Sequence, residues 1–194
     1  APKFGDPAAK VHIVEFLDPA CETCASFFPE VKKLMAAHPD RIRLSVRHLP
    51  LHEGSDQAVR ILEASRAQDK YLPTLEALYA AQDRWVVQHR VQPDQVWQAL
   101  GGVGLDLERV RNDMNSPAVT RRLEQDMADA QAMGVKQTPE FFVNGRPMPS
   151  FTLVAALLVL STLAYAFGRR RALSVSGGRQ HVLHSLPRYH GLYL

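Results

Sequence analysis

Both cysteines of the chain, Cys21 and Cys24, fall in the stretch "EFLDPACETCASFFPEV", with two residues between them. A pair at this spacing supports three chemistries: a redox dithiol, half of a metal site, or a static crosslink. At the start of a helix, the first cysteine meets the positive end of the helix dipole and unpaired backbone N–H groups. Both favour thiolate over thiol, and the thiolate is the nucleophile. The second cysteine, one turn on, is placed to attack a mixed disulfide and release its partner. On this reading Cys21 attacks and Cys24 resolves. Structural zinc requires four ligands, and no second cysteine pair lies nearby. Two thiolates suit Cu(I), a soft ion, so a Cu(I)-binding module stands as the alternative. A disulfide across two residues closes a tiny loop and stabilises little. Spacing by itself leaves all three open and favours the redox dithiol.

The elements that must position this pair are legible from patterning. "KVHIVEFL" carries Val11, Ile13, Val14, Phe16 and Leu17 in a nearly continuous apolar run, the pattern of a strand covered on both faces. Asp18-Pro19 ends it, and Cys21 stands where a helix begins. Phe27, Val31, Leu34 and Met35 give that helix its apolar spacing, and Pro29 is expected to kink it. "RIRLSVRHLPL" alternates Ile42, Leu44 and Val46 with polar residues, a second strand. Helical spacing then runs from about Ser55 to Gly134. Pro93-Asp94, Asp106 and Ser116-Pro117 open successive helices within it, and Val119, Leu123 and Met127 form an inward stripe. Strand character returns at "PEFFVNGRPMP", where Asn144-Gly145 marks a hairpin turn.

Composition is that of an ordinary globular protein, and two cysteines are too few for a disulfide-built scaffold. The formal charge of +3 is unevenly spread: residues 168–194 carry five arginines and no acid, which leaves −2 for the rest. A mildly acidic body argues against a nucleic-acid footprint there. The opening "APKFGDPAAK" holds no apolar segment of signal-peptide type, so the expectation is either a cytosolic protein or one whose leader has been removed. His12, His38, His48 and His52 are scattered and read as surface or partly buried polar groups, so no metal ligand is assigned.

The pieces "VEFLDPACETC", the helical middle and "VKQTPEFFVNGRP", over residues 4–150, resemble the bacterial DsbA-like thiol–disulfide oxidoreductases of the thioredoxin superfamily. The resemblance implies an α/β chain: a thioredoxin fold with an inserted helical domain. The thioredoxin-like part is then residues 1–52 and 135–167, the insertion 53–134, and residues 168–194 a basic, disordered tail. It further implies a cis peptide bond at Thr138-Pro139, packed against the dithiol and offering backbone for a substrate peptide. Glu15 lies where the superfamily places an acid beneath the dithiol; burial should raise its pKa and fit it to take the proton of Cys24. The dipeptide Glu22-Thr23 departs from the strongly oxidising members, which carry a histidine there. A glutamate opposes a neighbouring thiolate, so the oxidase, isomerase and reductant directions stay open. The implied partners are cysteine-containing protein substrates and a redox partner of unknown identity. No cofactor beyond the dithiol is implied, and the implied location is the periplasm.

After Ser150 the chain departs from that family. "FTLVAALLVLSTLAYAF" is apolar on every side and is followed by Arg169-Arg170-Arg171, and no acid occurs after Glu140. Three readings compete for 151–194: a buried closing helix, a membrane anchor over 151–167 with its arginines on the cytoplasmic side, and the product of a shifted reading frame.

Overall fold

The computed structural model describes residues 1–148. The expectations for residues 151–194, a helix at 151–167 and a disordered tail, lie outside them.

The sheet is built around the apolar run that the sequence marks. Strand β2 (Val11–Leu17) has Ile13, Glu15, Phe16 and Leu17 buried, and it pairs in parallel with β3 (Ile42–His48), Ile13 opposite Leu44 and Leu17 opposite His48. Between them runs helix α1 (Glu22–Ala37), continuous through Pro29. On the other edge of β2 lies β6 (Glu140–Val143), antiparallel, followed by β7 (Arg146–Pro147) across the Asn144-Gly145 turn. Both turn residues have positive φ, 49° and 79°, the reason Asn-Gly is favoured there. Strand β1 (Lys3–Gly5) pairs antiparallel with β3 and completes the order β1-β3-β2-β6-β7. Nothing in the patterning of the first ten residues marks β1. Its three residues are held by pairing with β3, a contact that a local reading does not contain.

The helices come between β3 and β6: α2 (Ser55–Ser65), α3 (Tyr71–Ala80), α4 (Gln82–Trp85), α5 (Pro93–Ala99), α6 (Leu107–Asp113) and α7 (Pro117–Ala132). The predicted caps are present: Asp106 accepts from the N–H of Arg109, and Ser116 from that of Val119. The helical stretch is interrupted by a small hairpin, β4 (Val86–Val87) and β5 (Arg90–Val91). Trp85, fully buried, donates from Nε1 to the carbonyl of Leu78.

On one face of the sheet Phe16, Leu49, Ala130 and Phe142 pack together, with the rings of Phe16 and Phe142 edge-on at 6.0 Å. Two apolar residues placed inward by periodicity are exposed: Leu34 in α1 and Met127 in α7. The inward position beside Met127 is taken instead by Asp126, which is buried. His48 is neither on the surface nor partly buried; it is fully buried. Its Nδ1 lies 3.2 Å from Asp126 Oδ2 and its Nε2 2.9 Å from the Tyr71 hydroxyl, so both ring nitrogens are satisfied. Arg47 pairs with Asp126 and Asp129 at 2.7 Å each, which fastens α7 to β3.

Candidate functional site: the Cys21–Cys24 dithiol

Cys21 is the N-cap of α1, and its extended backbone turns the sulfur back over the first turn. The Cys24 N–H points at that sulfur, with N···S 3.4 Å. The Cys21 thiol also donates to the carbonyl of Thr138, 3.3 Å away. Both cysteines are free, Cys24 fully buried and Cys21 with a small exposed area. The first sulfur is therefore the one an incoming disulfide can reach.

The electrostatics separate the two thiols. The Cys21 pKa falls to about 5, chiefly through the hydrogen bond with the Cys24 thiol; burial opposes this, and the Cys24 N–H, the Thr138 side chain and the Thr23 N–H add to it. Cys24 is pushed well above the ordinary thiol range, first by burial and then by the neighbouring Cys21. One thiol is thus held ready to ionise and the other is held protonated. Glu22 is exposed and does not prevent this. Its carboxylate lies 3.7 Å from His89 Nδ1, outside the ring of donors around Cys21.

Glu15 sits on β2 opposite Phe141 and Val46 and is 2% exposed. Burial raises its pKa to about 8, and its charge opposes ionisation of Cys24. The carboxyl is therefore held protonated near neutral pH, close enough to Cys24 for the two charges to oppose one another. The Thr138–Pro139 peptide bond is cis, at the entry to β6, and the Thr138 carbonyl lies against Cys21. Cys21, Cys24, Thr138 and Pro139 are brought together at one end of the sheet, with Glu15 below. Glu22 and Thr23 form the first turn of α1.

Three residues of this site escape a sequence reading. Asp18, read as a strand terminator, is fully buried and accepts from the N–H groups of Ala20, Leu51 and His52, from His52 Nδ1 and from the Ser55 hydroxyl. It ties the loop before Cys21 to the loop after β3. Gln82 donates from Nε2 to the carbonyl of Pro19 at 2.8 Å, a second tie. Tyr79 on α3 has a buried hydroxyl without a hydrogen-bond partner among the described residues, close enough to Cys24 and Glu15 for their charges to oppose its ionisation. The acid three residues before Cys21, in an otherwise apolar approach to the motif, is the one signal of this that the sequence holds.

Residues 2–153 match the family described as Thioredoxin, and residues 154–194 match a second, described as a phosphate ATP-binding cassette transporter. The loss of patterning after Ser150 thus coincides with the boundary between the two matches. Among solved structures, a thioredoxin-like oxidoreductase from Silicibacter pomeroyi is 35% identical, with a TM-score of 0.68 over 84% of this chain and 92% of that one. BdbD from Bacillus subtilis is 24% identical, with a TM-score of 0.66 over 77% and 84%. DsbA from Chlamydia trachomatis is 20% identical, with a TM-score of 0.63 over 84% and 91%. Among curated proteins, a Na(+)/H(+) antiporter NhaA of Herminiimonas arsenicoxydans is 36% identical over 142 residues, 73% of this chain and 22% of that protein. The chain spans about a quarter of the length of the curated relatives it matches. The chain belongs to the thioredoxin family, and its fold is that of the DsbA-like oxidoreductases.

Proposed function

We propose that the protein exchanges disulfides with cysteine-containing protein substrates through Cys21 and Cys24. The observation that carries the reading is the Cys21 sulfur at the start of α1, beside the Thr138 carbonyl, with Cys24 buried behind it. In the oxidising direction a substrate thiolate attacks Cys21 of the Cys21–Cys24 disulfide. The Cys21–Cys24 bond breaks, a mixed disulfide forms, and Cys24 leaves and takes a proton from Glu15. A second substrate thiolate then displaces Cys21 as a thiolate, leaving an oxidised substrate and a reduced dithiol. In the reducing direction the Cys21 thiolate attacks a substrate disulfide, and Cys24, losing its proton to Glu15, resolves the adduct. The low pKa of Cys21 makes it a good leaving group, which favours the first direction. Thr138 and Pro139 offer the backbone edge beside which a substrate segment lies.

The dithiol is the only redox group the reading requires, and a partner of unknown identity resets it. We place the domain in the periplasm, as the resemblance implies. No helix among the described residues is long and apolar enough to cross a membrane. An anchor over 151–167 rests on the apolar sequence of that run, the arginines after it and the transporter-family match of residues 154–194. Ion transport is not carried over from the antiporters, of which this chain spans about a quarter.

The deciding experiment is trapping. Cys24→Ser leaves mixed disulfides unresolved, so protein substrates should accumulate linked to Cys21 and be released by reductant. An absence of adducts, together with stoichiometric Cu(I) binding by the reduced wild type, would replace exchange by the copper-binding reading.

A further inference from the structure

Near the dithiol, three side chains converge that the exchange reaction does not use. Glu22, His52 and His89 each offer one ligand atom, and these atoms lie within 4.8 Å of one another. The residues come from three places: the first turn of α1, the loop after β3, and the tip of the β4–β5 hairpin. The two imidazoles lie face to face, with centroids 6.0 Å apart and planes 29° from parallel.

The tautomer of His52 is fixed by a buried carboxylate. Its Nδ1 is 2.8 Å from Asp18 Oδ2, and a carboxylate only accepts, so Nδ1 carries the proton. Nε2 is left with the free lone pair. A carboxylate behind a histidine in this way fixes the tautomer and raises the basicity of the coordinating nitrogen. Asp18 is itself fully buried and held by three backbone N–H groups and Ser55, so the pair is rigid.

The hairpin tip gives an independent indication. Gln88 and His89 both have positive φ, 51° and 62°, in a two-residue turn that contains no glycine. The tight hairpin between β6 and β7 uses Asn144-Gly145, with a glycine, at its two positive-φ positions. Left-handed backbone at two ordinary residues is strained, and strain retained at a turn tip directs attention to the side chain it presents. That side chain is His89, which projects beside Glu22.

We propose that Glu22, His52 and His89 bind one divalent transition-metal cation, with Zn²⁺ the best match to two imidazoles and a carboxylate. Tetrahedral bonds of about 2.0 Å bring ligand atoms to roughly 3.3 Å apart. Glu22 and His89 are both exposed and can close the difference by turning about their side-chain bonds. Arg90, the nearest competing cation on the hairpin, is held by Glu53 at 2.8 Å. The proposal does not depend on the exchange activity.

The test uses the full chain carrying Cys21→Ser and Cys24→Ser, which removes thiolate binding. Calorimetric titration with Zn²⁺ should show one ion per chain at this site. Co²⁺ in its place should give a visible d–d spectrum without a thiolate charge-transfer band. In the same background, His89→Ala and Glu22→Gln should each weaken Zn²⁺ binding by about tenfold or more. Neither change touches a buried group, so loss of fold does not confound them, and circular dichroism checks this. Ca²⁺, which requires oxygen ligands, should not compete. Zn²⁺ binding that is undiminished in His89→Ala would assign the ion elsewhere, such as His181, His184 and His190, and overturn the proposal. So would an absence of binding at millimolar Zn²⁺, or equal competition by Ca²⁺.

Discussion

The Cys21 sulfur and the Thr138 carbonyl oxygen are 3.3 Å apart across 117 residues of sequence. One caps the N-terminus of α1, the other belongs to the segment entering β6. Because β2 pairs with β6, the end of one strand and the start of the other meet at the same edge of the sheet. The contact sets the Cys21 sulfur against the Thr138 backbone, the edge along which the proposed exchange would seat an extended substrate.

The acidity of Cys21 depends first on Cys24. Thiolate absorbance of the reduced protein should titrate with a midpoint near 5. Cys24→Ala removes the hydrogen bond and should raise the midpoint by about one unit or more. Thr138→Val should raise it less. A wild-type midpoint above the free-thiol value of about 8.5 would mean that Cys21 is not activated. The reduction potential should fall between about −270 mV and about −120 mV, as measured against glutathione buffers.

Glu15 should trade stability for turnover. Its pKa is raised from 4.5 to about 8 in the folded chain. Between those values the unfolded chain is ionised at this residue and the folded chain is not, so its contribution to stability falls as pH rises from 4.5 to about 8. Glu15→Gln should therefore stabilise the protein at pH 7, by up to about 3 kcal/mol. It should also slow exchange by about a hundredfold. Denaturant melts at pH 4 and pH 7 measure the first effect and stopped-flow exchange the second. Equal stability of the variant and wild type at both pH values would contradict the buried, protonated carboxyl.

Asp18→Ala should be among the most damaging substitutions outside the dithiol. It leaves backbone donors of two loops unpaired in the interior, at a cost of about 3–5 kcal/mol. Urea unfolding measures it, and a loss below about 1 kcal/mol would show that the loops hold without the carboxylate.

Tyr79→Phe removes a buried hydroxyl that has no partner among the described residues. The variant should be more stable, by about 1 kcal/mol, with its exchange rate within a factor of about two. A large fall in exchange rate would reveal that the hydroxyl passes protons between Glu15 and Cys24.

Much of the site can be read locally. The Val11–Leu17 run, the two cysteines, the caps at Asp106 and Ser116 and the Asn144-Gly145 turn each act within a few residues of themselves. What cannot be read depends on distant partners. β1 exists because Lys3–Gly5 pairs with β3. His48 is buried because Asp126 and Tyr71, far along the chain, complete its hydrogen bonds. That same Asp126 displaces the apolar stripe on α7, so Met127 faces out where periodicity places it inward. Asp18 reads as a strand breaker because its partners come from the segment around residue 52.

The helices leave the sheet after β3 and rejoin it at β6, and these two strands flank β2 on either side. Their separation is two strand spacings, about 10 Å, whatever the length of chain between them. Topologically, the helical layer is a cassette spliced between two fixed terminals. Its outer surface can be rewritten while β2, the sulfur it aims and the acid beneath it keep their places.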